Sequence, residues 1–159
     1  VSSQNIFKIP AAKLVDIVSE FDPTWCGEGH NLDYLVNVID LIKDRIKTLS
    51  DIKKNAYYFF NHPTEYDKAA MKKCWSEKTN GILKSFQEEL SHLDDWSSSN
   101  IDELIDRCVN TICVGKGKLM QPIRIALTGA LKGPPIPNLM TLLGKETCLV
   151  RFKNILKNS

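Results

Sequence analysis

Apolar positions recur at helical spacing along nearly the whole chain. After Pro10, whose fixed φ suits a first helical position, Leu14, Val15, Ile17, Val18 and Phe21 share one broad face. A loop with Pro23, Gly27 and Gly29 follows. Asn31 is of the type that caps a helix N-terminus. From it, Leu32, Leu35, Val36, Ile39, Ile42 and Ile46 keep i, i+3, i+4 spacing. Ser50 is expected to cap a third helix with Ile52, Ala56, Phe59 and Phe60 inward. Asn61-His62-Pro63-Thr64 stops it, because a proline disfavours helical backbone at the residue before it.

A second group of helices is predicted beyond that stop. One covers about Tyr66 to Trp75, and another carries Ile82, Phe86 and Leu90. The polar run Asp94 to Asn100 reads as a connector, and Asn100 with Glu103 has capping-box spacing. The next helix uses Ile101, Leu104, Ile105, Cys108, Val109 and Ile112. Gly115 and Gly117 predict a break, and Pro122 then opens a helix over Ile123 to Ala130. A stiff turn, Gly133-Pro134-Pro135-Ile136-Pro137, leads to a helix over Asn138 to Leu143 with Gly144 as its C-cap. A last helix places Cys148, Leu149, Phe152, Ile155 and Leu156 on one face. No strand alternation, internal repeat or low-complexity tract appears. The fold expected is all-α, with eight or nine helices in two packed groups, residues 1–63 and 64–159.

The composition agrees with a packed domain. At 159 residues with 43% apolar and 25% charged side chains, the chain can build a core, and general disorder is excluded. No stretch approaches the roughly 18 apolar residues of a membrane span, so no membrane partner is expected. The chain begins at Val1 rather than Met and carries no leader pattern, which reads as a fragment or a processed product. The five cysteines are odd in number, and none lies in a CxxC pair. That favours reduced thiols and a cytoplasmic setting over a disulfide framework.

Charge is uneven. Residues 1–114 hold 13 Lys+Arg against 18 Asp+Glu, whereas residues 115–159 hold 8 against the single acid Glu146. A basic end on a mildly acidic body suits a polyanion partner, and it equally suits a solvated lysine-rich surface. Catalytic chemistry is hard to find. His30, His62 and His92 sit in loops or near helix ends, and Cys26 with His30 is too small a set for zinc. Gly115-Lys116-Gly117-Lys118 lacks the second spaced glycine and the Ser or Thr of a phosphate-binding P-loop. Neither a catalytic residue nor a metal ligand is proposed.

The informative stretch runs from Gly115 to Glu146. Its glycines permit close approach of a backbone, and Lys116 and Lys118 flank them. Arg124 falls in the first turn of the predicted helix, where free N–H groups can meet phosphates or base edges. Thr128 follows one turn later, and the proline-rich turn offers a fixed edge. Gly117-Lys118, Gln121-Pro122-Ile123-Arg124, Ala126-Leu127-Thr128-Gly129, Gly133-Pro134 and Leu142-Leu143-Gly144-Lys145-Glu146 occur in one order. This closely resembles the anticodon-binding region of the bacterial-type glutamyl-tRNA synthetases, with the pattern GK-x-x-QP-[IL]-R-x-ALTG and a later LLGKE. The paired helices from Leu35 to Phe60, with Arg45 to Leu49, are similar to the same family.

The resemblance implies an α-helical cage in two subdomains that receives the anticodon loop of a glutamate tRNA. The parent enzyme would be a class I aminoacyl-tRNA synthetase, a cytoplasmic and monomeric ligase acting in translation. It would use ATP and magnesium in a catalytic domain whose motifs are absent here, so this chain would bear no cofactor and would partner tRNA and that domain, not DNA. The residues it points to for tRNA binding are Arg45, Lys116, Lys118, Gln121, Arg124, Thr128, Gly133, Pro134 and Lys145. Arg124 would meet an anticodon base or its phosphate, and Gly133 and Pro134 would line the loop pocket. Arg45 matches a position from which the family can read the third anticodon base, C in glutamate tRNAs and G in glutamine tRNAs. Other readings stay open. Arg45 could pair with Asp44 or Asp51, Lys145 could face solvent, and Tyr57, Tyr58, Trp25, Trp75 and Trp96 read more readily as packing. The whole could also be an all-α scaffold whose basic end meets an acidic protein, or the module of a synthetase that also charges glutamine tRNA.

Overall fold

The computed structural model describes residues 8–27, 29–112 and 114–158. Cys113, one of the five cysteines, and the start of the chain before Lys8 lie outside them. Among the described residues there are nine α-helices, one short 3-10 turn and no strand, so the fold is all-α as the periodicity predicts. They divide into two compact units, one ending at Asn61 and one beginning at His62.

The first unit contains α1 (Ala11–Phe21), α2 (Leu32–Ile42), the 3-10 turn Lys43–Arg45 and α3 (Leu49–Phe60). Leu14 and Val18 of α1, Val38, Ile39 and Ile42 of α2, and Ile52 and Ala56 of α3 are buried in its core. Asn31 caps α2 as expected, its side-chain oxygen accepting the Tyr34 N–H at 2.8 Å. The cap of the third helix is Thr48, two residues before the expected Ser50, because Thr48 and Asp51 form the capping box. The Lys47 and Thr48 amides donate to the Asp51 carboxylate and hold its pKa below the usual carboxylate value. The α2 periodicity overshoots at both ends. Leu32 is 58% exposed, whereas Ile46 stays buried although its backbone is already extended. Trp25 is buried as a packing anchor, with its indole N–H on Ser19 and its ring edge-on to Phe60.

The second unit contains α4 (Lys68–Cys74), α5 (Glu77–Ser91), α6 (Ser98–Ile112), α7 (Lys116–Thr128), α8 (Ile136–Leu143) and α9 (Lys145–Asn158). α5 packs on α9, α6 on α8, and α7 against α4, α5, α6, α8 and α9. This centrality explains why Leu119, Ile123, Ile125, Ala126 and Leu127 of α7 are all fully buried. Two expected boundaries move. Ser97 receives the Asn100 amide and α6 starts at Ser98, so Asn100 lies inside the helix instead of capping it. α7 starts at Lys116, with Gly117 in its first turn and Pro122 inside it. An interior proline costs about 3 kcal/mol in an isolated helix. Here Leu119, fully buried, extends the core face ahead of Pro122 and offsets that cost.

Among the described residues, Arg151 of α9 is the buried charged side chain of this unit, 2% exposed. Its Nε donates to His62 Nδ1 at 3.1 Å and its Nη1 to the Leu127 carbonyl at 2.6 Å. Burial first, and then the Arg151 charge, lower the pKa of His62. A lowered imidazole pKa means the unfolded chain takes up the proton more readily. Stability conferred by neutral His62 is therefore full above its ordinary value of about 6.5 and is lost as pH falls below it. Thermal melts between pH 8 and pH 5 should show this decline, and His62→Gln should flatten it. Equal pH dependence in both proteins would contradict the arrangement.

Candidate nucleic-acid interface

The basic end of the chain is organised by the C-terminus of α7. Gly129 adopts φ +85 and ends the helix, its N–H bonded to the Ile125 carbonyl at 2.8 Å. The chain then runs through Gly133, at φ +118, into the proline-rich turn and α8. Arg124 reaches across this turn. Its Nη1 donates to the carbonyls of Gly133 at 3.0 Å and Pro134 at 2.8 Å, with Lys132 at 3.4 Å. Loop carbonyls need partners when partly buried, and a guanidinium offers several donors in a fixed fork. Arg124 thus fixes the turn's shape from within. The Thr128 hydroxyl lies 2.9 Å from the Arg124 carbonyl and 2.8 Å from that of Ala130, and accepts the Ala130 amide. Pro134 is buried against the unit, while Lys132 and Pro135 are exposed.

The nine residues singled out by sequence therefore separate. Arg124, Thr128, Gly133 and Pro134 come together at the turn. Gln121 faces α4, where its Oε1 accepts the Cys74 thiol at 3.2 Å. Lys116 lies against α6, 3.2 Å from Asp106 and 3.9 Å from Asp102. These groups are about half exposed, so the pairing contributes at most about 1 kcal/mol. Lys145 donates to the Leu93 carbonyl at 2.9 Å from a half-buried position. Lys118 is exposed on the opposite end of α7 from the turn, beside Lys72, Lys73 and Lys78. Arg45 belongs to the first unit, where it is exposed on the 3-10 turn and in no ion pair among the described residues. Tyr58 is buried as core, whereas Tyr57 is 47% exposed.

Sequence reading missed Lys72, Lys73 and Lys78, because they lie in the stretch whose net charge is negative. It also missed Arg151, which occupies the apolar stripe of α9 one turn beyond Cys148. The described residues gather no group of three or more His, Cys, Asp or Glu that could hold a metal ion. No described helix is long and apolar enough to cross a membrane.

The family model described as an anticodon binding domain matches residues 12–156. The glutamate–tRNA ligase of Chloroherpeton thalassium is 35% identical over 154 residues, which is 96% of this chain and 31% of that protein. The glutamate–tRNA ligase of Christiangramia forsetii is 34% identical over 76% of this chain and 24% of its own length. Among solved structures, a glutamate tRNA ligase from Elizabethkingia meningosepticum, crystallised with its amino acid, superposes with a TM-score of 0.88 and 28% identity. The superposition covers 98% of this chain and 31% of that one. The chain thus spans a third or less of the relatives it matches.

Proposed function

The chain belongs to the anticodon-binding domain family, and on that premise we propose that it reads the anticodon loop of a glutamate tRNA as part of a glutamate–tRNA ligase. The observation that carries this reading is the family match over residues 12–156, which includes the clamped turn and the exposed Arg45. In this role the chain catalyses nothing. It holds the loop so that the far end of the tRNA reaches a catalytic domain, where ATP and magnesium would act. No group among the described residues here fits a metal ion. We place the ligase in the cytoplasm and treat it as a monomer, with the two units as two RNA-contacting subdomains.

The geometry supports a division of labour among these residues. Single-stranded loops are recognised through splayed bases whose edges meet side-chain donors. Arg45 presents an exposed guanidinium on a short turn and reads the third anticodon base. The turn from Lys132 to Pro137 supplies a pre-shaped edge, which loses little entropy on binding. Arg124 and Thr128 act through that turn, by holding its carbonyls. Gln121 and Lys145 position helices, and Lys116 and Lys118 meet phosphate.

The test is the affinity of the chain for a glutamate-tRNA anticodon hairpin against a hairpin of the same stem with an unrelated loop. Tighter binding of the glutamate loop is expected, and equal affinity for both would sink the reading. Arg45→Ala should remove about 1–3 kcal/mol of preference for C over G at the third base. Its folding stability should stay within about 0.5 kcal/mol of wild type, as at other exposed sites. An unchanged preference in that variant would take Arg45 out of the site.

A further inference from the structure

The strongest unassigned feature of the second unit is a cleft of about 500 Å³ where α4, α5 and the start of α7 meet. Lys72 and Lys73 come from the last turn of α4, Lys78 from the first turn of α5 and Lys118 from the first turn of α7. All four are exposed, and all four line the cleft. No carboxylate among the described residues lines it. None of the four is in an ion pair among the described residues. Three lysines elsewhere do have partners: Lys53 has Asp22 and Thr24, Lys116 has Asp102 and Asp106, and Lys145 has a carbonyl.

Four cations gathered without a counter-charge repel one another and raise the local potential, which favours a bound polyanion. One further feature points the same way. Gly115, directly before α7, lines the cleft, so the uncapped positive end of α7 meets it, whereas the N-terminus of α5 is already closed by Ser76 and Thr79. Gly115 brings no side chain to cap α7, and a Cβ there would meet open space. Trp75 forms a wall whose indole N–H is already held by Asn80 at 2.8 Å.

We propose that this cleft holds backbone phosphates of the RNA flanking the loop that is read at the turn. The proposal rests on the anticodon-reading function. Lys118 and Arg124 are six residues apart on one helix, about 9 Å along its axis, so the cleft and the turn lie towards opposite ends of α7. A lysine–phosphate contact fixes register and carries no base information. The cleft thus sets where the RNA lies, and the turn and Arg45 set which RNA it is.

The experiment compares K72Q/K78Q/K118Q, one lysine from each helix, with K13Q/K84Q/K153Q, which removes the same charge at exposed positions elsewhere. Binding of the glutamate-tRNA hairpin is measured across salt concentrations, with melting curves as a check of folding. For the cleft variant, affinity near 0.1 M salt should fall about tenfold and the salt slope should shrink by about 0.7 for each lost phosphate. Its preference for C over G at the third base should be retained. The control variant should lose no more than half as much slope as the cleft variant. If both variants lose slope equally, or neither does, the cleft is not a phosphate site, although the anticodon reading stands. If the wild-type chain binds no RNA, the anticodon reading falls and this proposal falls with it.

Discussion

Arg151→Ala should lower the unfolding free energy by about 2–4 kcal/mol, among the largest effects expected of any single polar substitution in this chain. Leu127 lies in the last turn of α7, where carbonyls have no partner within the helix. The Arg151 Nη1 supplies that partner at 2.6 Å, and its charge sits at the negative end of the helix dipole. Truncation leaves a buried carbonyl unpaired, frees His62 and opens a void between α7 and α9. Arg151→Met restores volume without the donors, so it should recover about half of the loss. Chemical denaturation with the slope held in common measures both. A loss below about 0.5 kcal/mol for the alanine variant, typical of an indifferent surface site, would refute this role.

Gly129→Ala should cost about 2–4 kcal/mol as well, for a different reason. A left-handed φ costs a side-chain-bearing residue about 1–2 kcal/mol, and Gly129 sits at φ +85. A Cβ there would lie 3.0 Å from the Glu65 carbonyl oxygen and 3.4 Å from Pro63. That segment cannot easily retreat, since the Asp67 amide donates to the Gly129 carbonyl at 2.8 Å. The variant should melt lower, and its RNA affinity should fall because the turn begins four residues later. By comparison, Gly117→Ala has open space around it, at a helical position where φ is not positive, and should be neutral or stabilising. Equal melting temperatures for the two variants would contradict the close packing at Gly129.

These two residues also mark where the sequence could and could not be read. Helical periodicity made the architecture legible, since the buried faces of α1, α3, α5 and α9 repeat at i, i+3 and i+4 as amphipathic helices must. Asn31 and Gly144 announced their caps by residue type alone. Pro122 misled, because a proline most often starts a helix and here sits within one. That shift changes Arg124 from a first-turn residue with outward prospects into a mid-helix residue facing the turn. Thr128 and Gly129 belong to the motif that suggested RNA, yet the Thr128 hydroxyl and the Gly129 amide bond to carbonyls of this chain. The motif is therefore in good part a recipe for the turn's shape. Arg151 was hidden by its charge: position alone puts it with Cys148, Phe152 and Ile155 on the buried face. The lysine cleft was not legible at all, since its members come from three helices and three of them lie within the long stretch, residues 1–114, whose charge as a whole is negative.

The most direct test of the account follows backbone amide resonances while a glutamate-tRNA anticodon hairpin is titrated into the isotopically labelled chain. The amides of residues 130–136 and 43–47 should shift together and saturate at one hairpin per chain, and a hairpin with G at the third anticodon base should move the second set less. If both sets stay in place while the hairpin binds elsewhere, or if no amide responds, this chain does not read an anticodon in the way its fold suggests.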